Sequence, residues 1–112
     1  MLGGFSQGAA VALAAAASDI MQPAALIQLS AQAPPAPLAA NALDGTAVLI
    51  ATGTEDTVAP IATGEALHTA CEAAGAKVKP LLRYDGEHEV TPAVAEAIGK
   101  FLTELLEPVP ID

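Results

Sequence analysis

A serine bracketed by glycines, Gly4-Phe5-Ser6-Gln7-Gly8, runs without a break into Ala9-Ala10-Val11-Ala12-Leu13-Ala14-Ala15-Ala16-Ala17. Alanine has the highest helix propensity and no bulk to hold a neighbour away, so this run predicts a helix packed closely on a sheet. With Met1 to Phe5 as the strand leading in, the junction reads as strand, tight turn, helix. A serine on such a turn stands on strained backbone and needs very small residues two positions to either side, the places of Gly4 and Gly8. The same five residues also suit an ordinary turn before an alanine-rich helix, so their meaning depends on the rest of the chain.

Two short apolar runs come next, Ala25 to Ser30 and Thr46 to Ala51, the second richer in β-branched residues, and both read as buried parallel strands. Between them, Ala31 to Gly45 carries Pro34, Pro35 and Pro37, a density that forbids a regular helix or central strand and predicts a loop or short irregular cap. Pro60 to Ala74 is helical in pattern, with Pro60 in the first turn, Leu67, Ala70, Cys71 and Ala74 on one face, and Gly75 at the stop. Val78 to Tyr84 reads as a strand that Pro80 places at or near a sheet edge, in keeping with the charges of Lys77, Lys79 and Arg83. A last helix opens with Thr91 as cap and Pro92 at its first position. Its inward stripe is Val94, Ala95, Ile98, Phe101, Leu102 and Leu105, and Pro108 and Pro110 stop it. The succession predicts one α/β domain over residues 1–112, with a mainly parallel sheet of about four strands.

The chain has 112 residues, 53% of them hydrophobic but only 3% aromatic, so its core must be tight packing of small aliphatic side chains. A formal charge of -9, with no Lys or Arg before Lys77, leaves no basic stripe and argues against nucleic acid and anionic membrane as partners. Cys71 is the only cysteine, which excludes an internal disulfide and reads as a small buried hydrophobe. The run Ala9 to Ala17, followed by Ser18 and Asp19, imitates the apolar part of a secretory signal but lacks its positive flank, so a cytoplasmic protein is expected. His68 and His88 lie far apart and Cys71 is helical, which does not make a metal-ligand set, so no metal is expected.

Three polar residues fall at strand ends in the order Ser, Asp, His. Ser6 stands on the turn into the first helix, whose dipole would favour negative charge on a tetrahedral intermediate. Asp56, in Thr52-Gly53-Thr54-Glu55-Asp56, follows a buried strand and could orient an imidazole; the lesser reading is a cap of the helix near Pro60, and Glu55 is a weaker occupant of the same role. His88, in Gly86-Glu87-His88, could serve as general base, although a lone histidine is more often a surface residue. Glu87 and Glu89 would favour its protonated form if they approached it. His68, inside a helix with no strand end beside it, reads as structural.

The segments Gly4-Phe5-Ser6-Gln7-Gly8-Ala9, Thr52-Gly53-Thr54-Glu55-Asp56-Thr57-Val58-Ala59-Pro60 and Tyr84-Asp85-Gly86-Glu87-His88-Glu89-Val90 resemble the phospholipase/carboxylesterase family, which includes the acyl-protein thioesterases. The resemblance spans nearly the whole chain. It implies an α/β-hydrolase fold and hydrolysis of small carboxylic esters or thioesters through an acyl-serine intermediate, without cofactor. It also implies a triad of Ser6, Asp56 and His88. Members often carry histidine where this chain has Thr52, which hints at a divergent site. They have roughly twice as many residues in a domain of common size, and this chain begins almost at the Ser6 turn, the nucleophile elbow of such folds, so a truncated fold matching the family's C-terminal half is expected. The Gln7 amide would supply half of an oxyanion hole. Loss of one donor typically costs about 2.7 to 4 kcal/mol, so a weak enzyme is expected.

The elbow strand would lie at an open sheet edge, from which a homo-oligomer is expected. The apolar stretch Ala31 to Leu38 would border the acyl pocket. A non-catalytic interaction module is the competing expectation, and a peptidase or lactone hydrolase with the same triad logic is a third.

Overall fold

The structure, a computed structural model, describes residues 1–18, 22–34 and 37–106. Asp19, Pro35, Pro108 and Pro110, on which sequence expectations rested, lie outside the described residues. The elements are β1 (Leu2–Phe5), α1 (Gln7–Ala16), β2 (Ala25–Leu29), β3 (Ala47–Gly53), α2 (Ile61–Ala73), β4 (Lys77–Val78), β5 (Leu82–Tyr84) and α3 (Pro92–Leu106). The sheet runs β1-β2-β3-β4, with β5 also on β3, and every pairing is parallel.

Central β3 is buried along its whole length, which explains why Ala47 to Ala51 is an unbroken apolar run rather than an alternating one. On one face Leu26, Val48 and Ile50 meet α1 and α2; on the other Ala25, Ile27, Ala47 and Leu49 meet Phe101 of α3. In α1, Ala9, Ala12 and Ala16 are buried beside Leu13, so the alanine run does bring helix and sheet close together. Cys71 is buried in the same layer. Gly75, at φ 91, ends α2: its amide donates to the Glu72 carbonyl and that of Ala76 to the Cys71 carbonyl, the paired bonds of a left-handed helix stop. Among the described residues no helix is long and apolar enough to cross a membrane.

Several sequence expectations need correction. The mainly parallel sheet is as expected, but among the described residues its strands number five, because the segment expected as one strand from Val78 to Tyr84 is divided at Pro80. Ala47 faces Lys77 and Val48 faces Val78, whereas Ala51 faces Leu82, so the pairing offset grows by one residue across the break. Proline has no amide to give the ladder, and the extra residue lets the strand resume beyond it. A one-residue slip exchanges the faces of every later side chain, so Tyr84 points into the α3 layer while Arg83 reaches out to Glu65 of α2. Pro60 precedes α2 instead of occupying its first turn. In α3 the inward stripe is narrower than expected: Val94 and Phe101 are buried, but Ala95 is exposed and so is Leu105, at 41%. Ile98 and Leu102 pack partly against the clusters on this face of the sheet, whereas Ala95 and Leu105 belong to none of them.

Candidate active site

Ser6 joins β1 to α1 at φ 56 and ψ -118, a conformation that costs a non-glycine residue of order 1 to 3 kcal/mol and persists only where surrounding structure enforces it. Here the Ser6 amide donates to the Leu29 carbonyl at 2.8 Å, and the Ser6 carbonyl accepts the Ala9 amide at 3.0 Å. A Cβ on Gly4 would overlap the backbone of Gly8 and Ala9, so the turn requires glycine there. Gly8, in contrast, has open space where its side chain would be; its expected steric role falls away, and the crowding is one-sided.

Asp56 and His88 stand on loops that follow adjacent strand ends and are stitched to each other. The Thr54 amide donates to the Tyr84 carbonyl at 2.9 Å and the Glu55 amide to the Gly86 carbonyl at 3.0 Å. Gly53 lies so close to the Gly86 and Glu87 carbonyls that no side chain would fit between them. The sheet thereby fixes one loop against the other, and through them brings together residues far apart in sequence.

Nε2 of His88 lies 2.8 Å from Oγ of Ser6, and Nδ1 lies 2.8 Å from Oδ2 of Asp56. The Asp56 side chain is fully buried and the imidazole is 20% exposed. Oδ1 of Asp56 accepts the amides of Ala59 at 2.7 Å and Val58 at 2.9 Å, so this carboxylate both closes its own loop and faces the imidazole. Burial pushes the carboxyl up, but the Ala59 amide, the His88 imidazole and the Val58 amide outweigh it and hold the group below its ordinary value. An ionised Asp56 accepts the proton on Nδ1, which leaves Nε2 as the acceptor for the Ser6 hydroxyl.

Glu55 is exposed and takes no part in this chain of hydrogen bonds. Glu89 turns its carboxylate to the Glu87 amide, and neither glutamate reaches the imidazole nitrogens. His68 lies elsewhere, its Nε2 at 3.1 Å from the Lys79 carbonyl oxygen and its Nδ1 at 3.5 Å from Glu72. Thr52 is wholly buried, with a hydroxyl that has no partner among the described residues and that lies against Gly64 of α2. The Gln7 amide is one of the helix-start amides that α1 cannot satisfy internally, and Gln7 lines the same space as Ser6.

That space is a cavity of about 520 Å³. Its floor is Ala10, Leu13 and Ala14 of α1, and its far wall is Gln32, Ala33, Pro34, Pro37 and Leu38. The proline-rich stretch thus does border it, and Gln32 ties this wall to the acid loop by donating to the Val58 carbonyl at 3.2 Å. Phe5 was missed by sequence reading: its ring centroid lies 4.8 Å from that of His88, with the planes tilted by 45°. Its place beside Ser6 in the glycine-bracketed motif was the available signal.

Residues 1–106 match the family model of the phospholipase/carboxylesterases. No curated protein matches the chain significantly. Among solved structures, esterase PE8 superposes with a TM-score of 0.81 at 27% identity, covering 94% of this chain and 49% of its own. The Bacillus cereus carboxylesterase does so at 0.81 and 25%, covering 91% and 48%, and the Zea mays acyl-protein thioesterase 2 at 0.77 and 25%, covering 94% and 55%. The chain spans about half the length of these structures. By the match of its sequence over all three motif segments, this chain belongs to the phospholipase/carboxylesterase family of α/β-hydrolases.

Proposed function

We propose that the chain hydrolyses small carboxylic esters or thioesters through an acyl-serine intermediate, with Ser6 as nucleophile, His88 as general base and acid, and Asp56 as the orienting carboxylate. The observation that carries this reading is the unbroken hydrogen-bond chain from Ser6 Oγ through both imidazole nitrogens to Asp56, at 2.8 Å for each link. Ser6 Oγ attacks the carbonyl carbon while its proton passes to Nε2 of His88, and the buried carboxylate stabilises the imidazolium that results. The carbonyl oxygen becomes an oxyanion facing the Gln7 amide at the head of α1. Collapse expels the alcohol or thiol, which takes the proton from Nε2, and a water activated by the same imidazole then releases the acid and restores Ser6.

Support for a carbon chain as the acyl group comes from the apolar floor and wall of the cavity that opens at Ser6. β1 pairs only with β2 among the described residues, and we propose that its outer edge pairs with a second copy. Light scattering that finds only monomer at micromolar concentration removes this part of the reading.

A fluorophosphonate probe tests the chemistry. The native chain should be labelled at Ser6 and the Ser6→Ala chain should not. A native chain that is never labelled, or labelling that survives the substitution, favours a non-catalytic interaction module instead.

A further inference from the structure

His88 stands in a stretch, residues 85–91, that belongs to no helix or strand, yet the imidazole must be held against Ser6 to within a fraction of an ångström. The ties already described reach only its early part: the Glu55 amide on the Gly86 carbonyl and the close approach of Gly53 to Gly86 and Glu87. On the far side of His88 a different group takes over. The hydroxyl of Tyr84 lies 2.5 Å from the Glu89 carbonyl oxygen and 3.5 Å from that of Glu87, so one phenol spans the residues on both sides of the histidine.

The side chain that does this is 6% exposed and packs with Ala51 and Val94, so it has little freedom to swing. A phenol has a single proton, and the short contact assigns it to the Glu89 carbonyl. The remaining neighbour, Oγ of Ser30 at 3.1 Å, is then the donor to the phenol oxygen. Ser30 is itself wholly buried at the end of β2, at φ 50, with its amide on the Ala51 carbonyl at 2.8 Å. The result is a relay of position from the sheet to the loop: β2 holds Ser30, Ser30 holds Tyr84, and Tyr84 holds the loop beyond His88. Nothing else among the described residues uses the Tyr84 hydroxyl, and Phe would fill the same space.

We propose that Tyr84, backed by Ser30, is a positioning residue that sets the His88 imidazole for proton transfer with Ser6. The proposal deepens the esterase reading and rests on it. The register slip at Pro80 is what makes it possible, since that slip turns Tyr84 and not Arg83 toward the loop.

Two measurements on the native chain, Tyr84→Phe and Ser30→Ala test it. The first is fluorophosphonate labelling of Ser6 as a function of probe concentration, which separates the maximal rate from the probe's affinity. Losing one neutral hydrogen bond that holds the base should lower the maximal rate about threefold to tenfold in Tyr84→Phe, with half-saturation unchanged. Ser30→Ala should move in the same direction by less. The second is the low-field proton resonance of His88 Nδ1–H, which does not depend on turnover: it should be sharp in the native chain and shifted or broadened in Tyr84→Phe.

Maximal rates and resonances that match the native chain in both variants overturn the proposal, as does a native chain with no such resonance. A native chain that shows the resonance but is never labelled, with the resonance disturbed in Tyr84→Phe, overturns the esterase reading and supports the positioning role. If Tyr84→Phe does not fold, Ser30→Ala decides by the same criteria.

Discussion

Oδ2 of Asp56 lies 2.8 Å from Nδ1 of His88, while Oδ1 of the same carboxylate is taken by the Ala59 and Val58 amides. Asp56→Asn can keep the carbonyl oxygen on those amides but must turn an NH₂ toward Nδ1. The imidazole would then carry its proton on Nε2, where it cannot accept from Ser6. Ester turnover is expected to fall by about 10⁴, the effect of the same change in a serine protease triad, with circular dichroism unaltered. A nitrophenyl ester assay of the two chains checks it.

The depressed carboxyl of Asp56 also links stability to pH. Its folded value lies below the ordinary 3.8, so the unfolded chain binds this proton first as pH falls. The stabilisation is complete above the unfolded value and is lost as pH drops through the folded one. The excess Tm of the native chain over Asp56→Asn should therefore be largest at about pH 6 and shrink toward about pH 3, because only one of the two side chains titrates there.

Gly4 and Gly8 look equivalent in sequence and are not equivalent in space. Gly4→Ala drives a methyl into the backbone of Gly8 and Ala9 and is expected to destabilise the fold by about 1 to 3 kcal/mol or more. Gly8→Ala meets nothing and replaces a glycine inside α1, so it should stabilise by about 0.5 to 1 kcal/mol. Urea unfolding of both variants gives the two signs directly.

Ala14 lies on the floor of the cavity, one helical turn beyond Ala10. Ala14→Phe should fill the inner part of that space while leaving the hydrogen bonds of Ser6 and His88 untouched. Hydrolysis of an octanoyl nitrophenyl ester should fall against the acetyl ester, by about tenfold or more for two or three methylenes that lose their place. Equal losses on both esters would mean that the acyl chain lies elsewhere.

Burial pushes the Cys71 thiol up to about 11 from 9.0. At mildly alkaline pH it should resist iodoacetamide in the folded chain and react as soon as urea unfolds it, since only the thiolate is nucleophilic. Mass spectrometry across the unfolding transition reads this out.

Much of the fold was legible because it rests on local signals. The alanine run carries a strong helix propensity, the run 46–51 is β-branched and of strand length, and Gly75 stands where a helix stop is wanted. Ser6, Asp56 and His88 were legible for a related reason: each follows an element whose end could be read, and parallel strands bring all such ends to one rim. Adjacent carboxylates look alike in sequence, whereas in the fold the loop buries Asp56 against His88 and leaves Glu55 exposed.

What the amino-acid order determined by itself was the type and succession of elements, because propensity, periodicity and turn chemistry act over a few residues. Tertiary structure alone decided the quantities that depend on contact across the chain. It chose the register slip at Pro80, which turns Tyr84 inward, the exposure of Ala95 and Leu105 on α3, and the tilted approach of Phe5 to His88. Proline accounts for the break in the strand, but where the strand resumes, which residues of α3 find cover and how Phe5 meets His88 depend on residues distant in the chain, which no local stretch of sequence encodes.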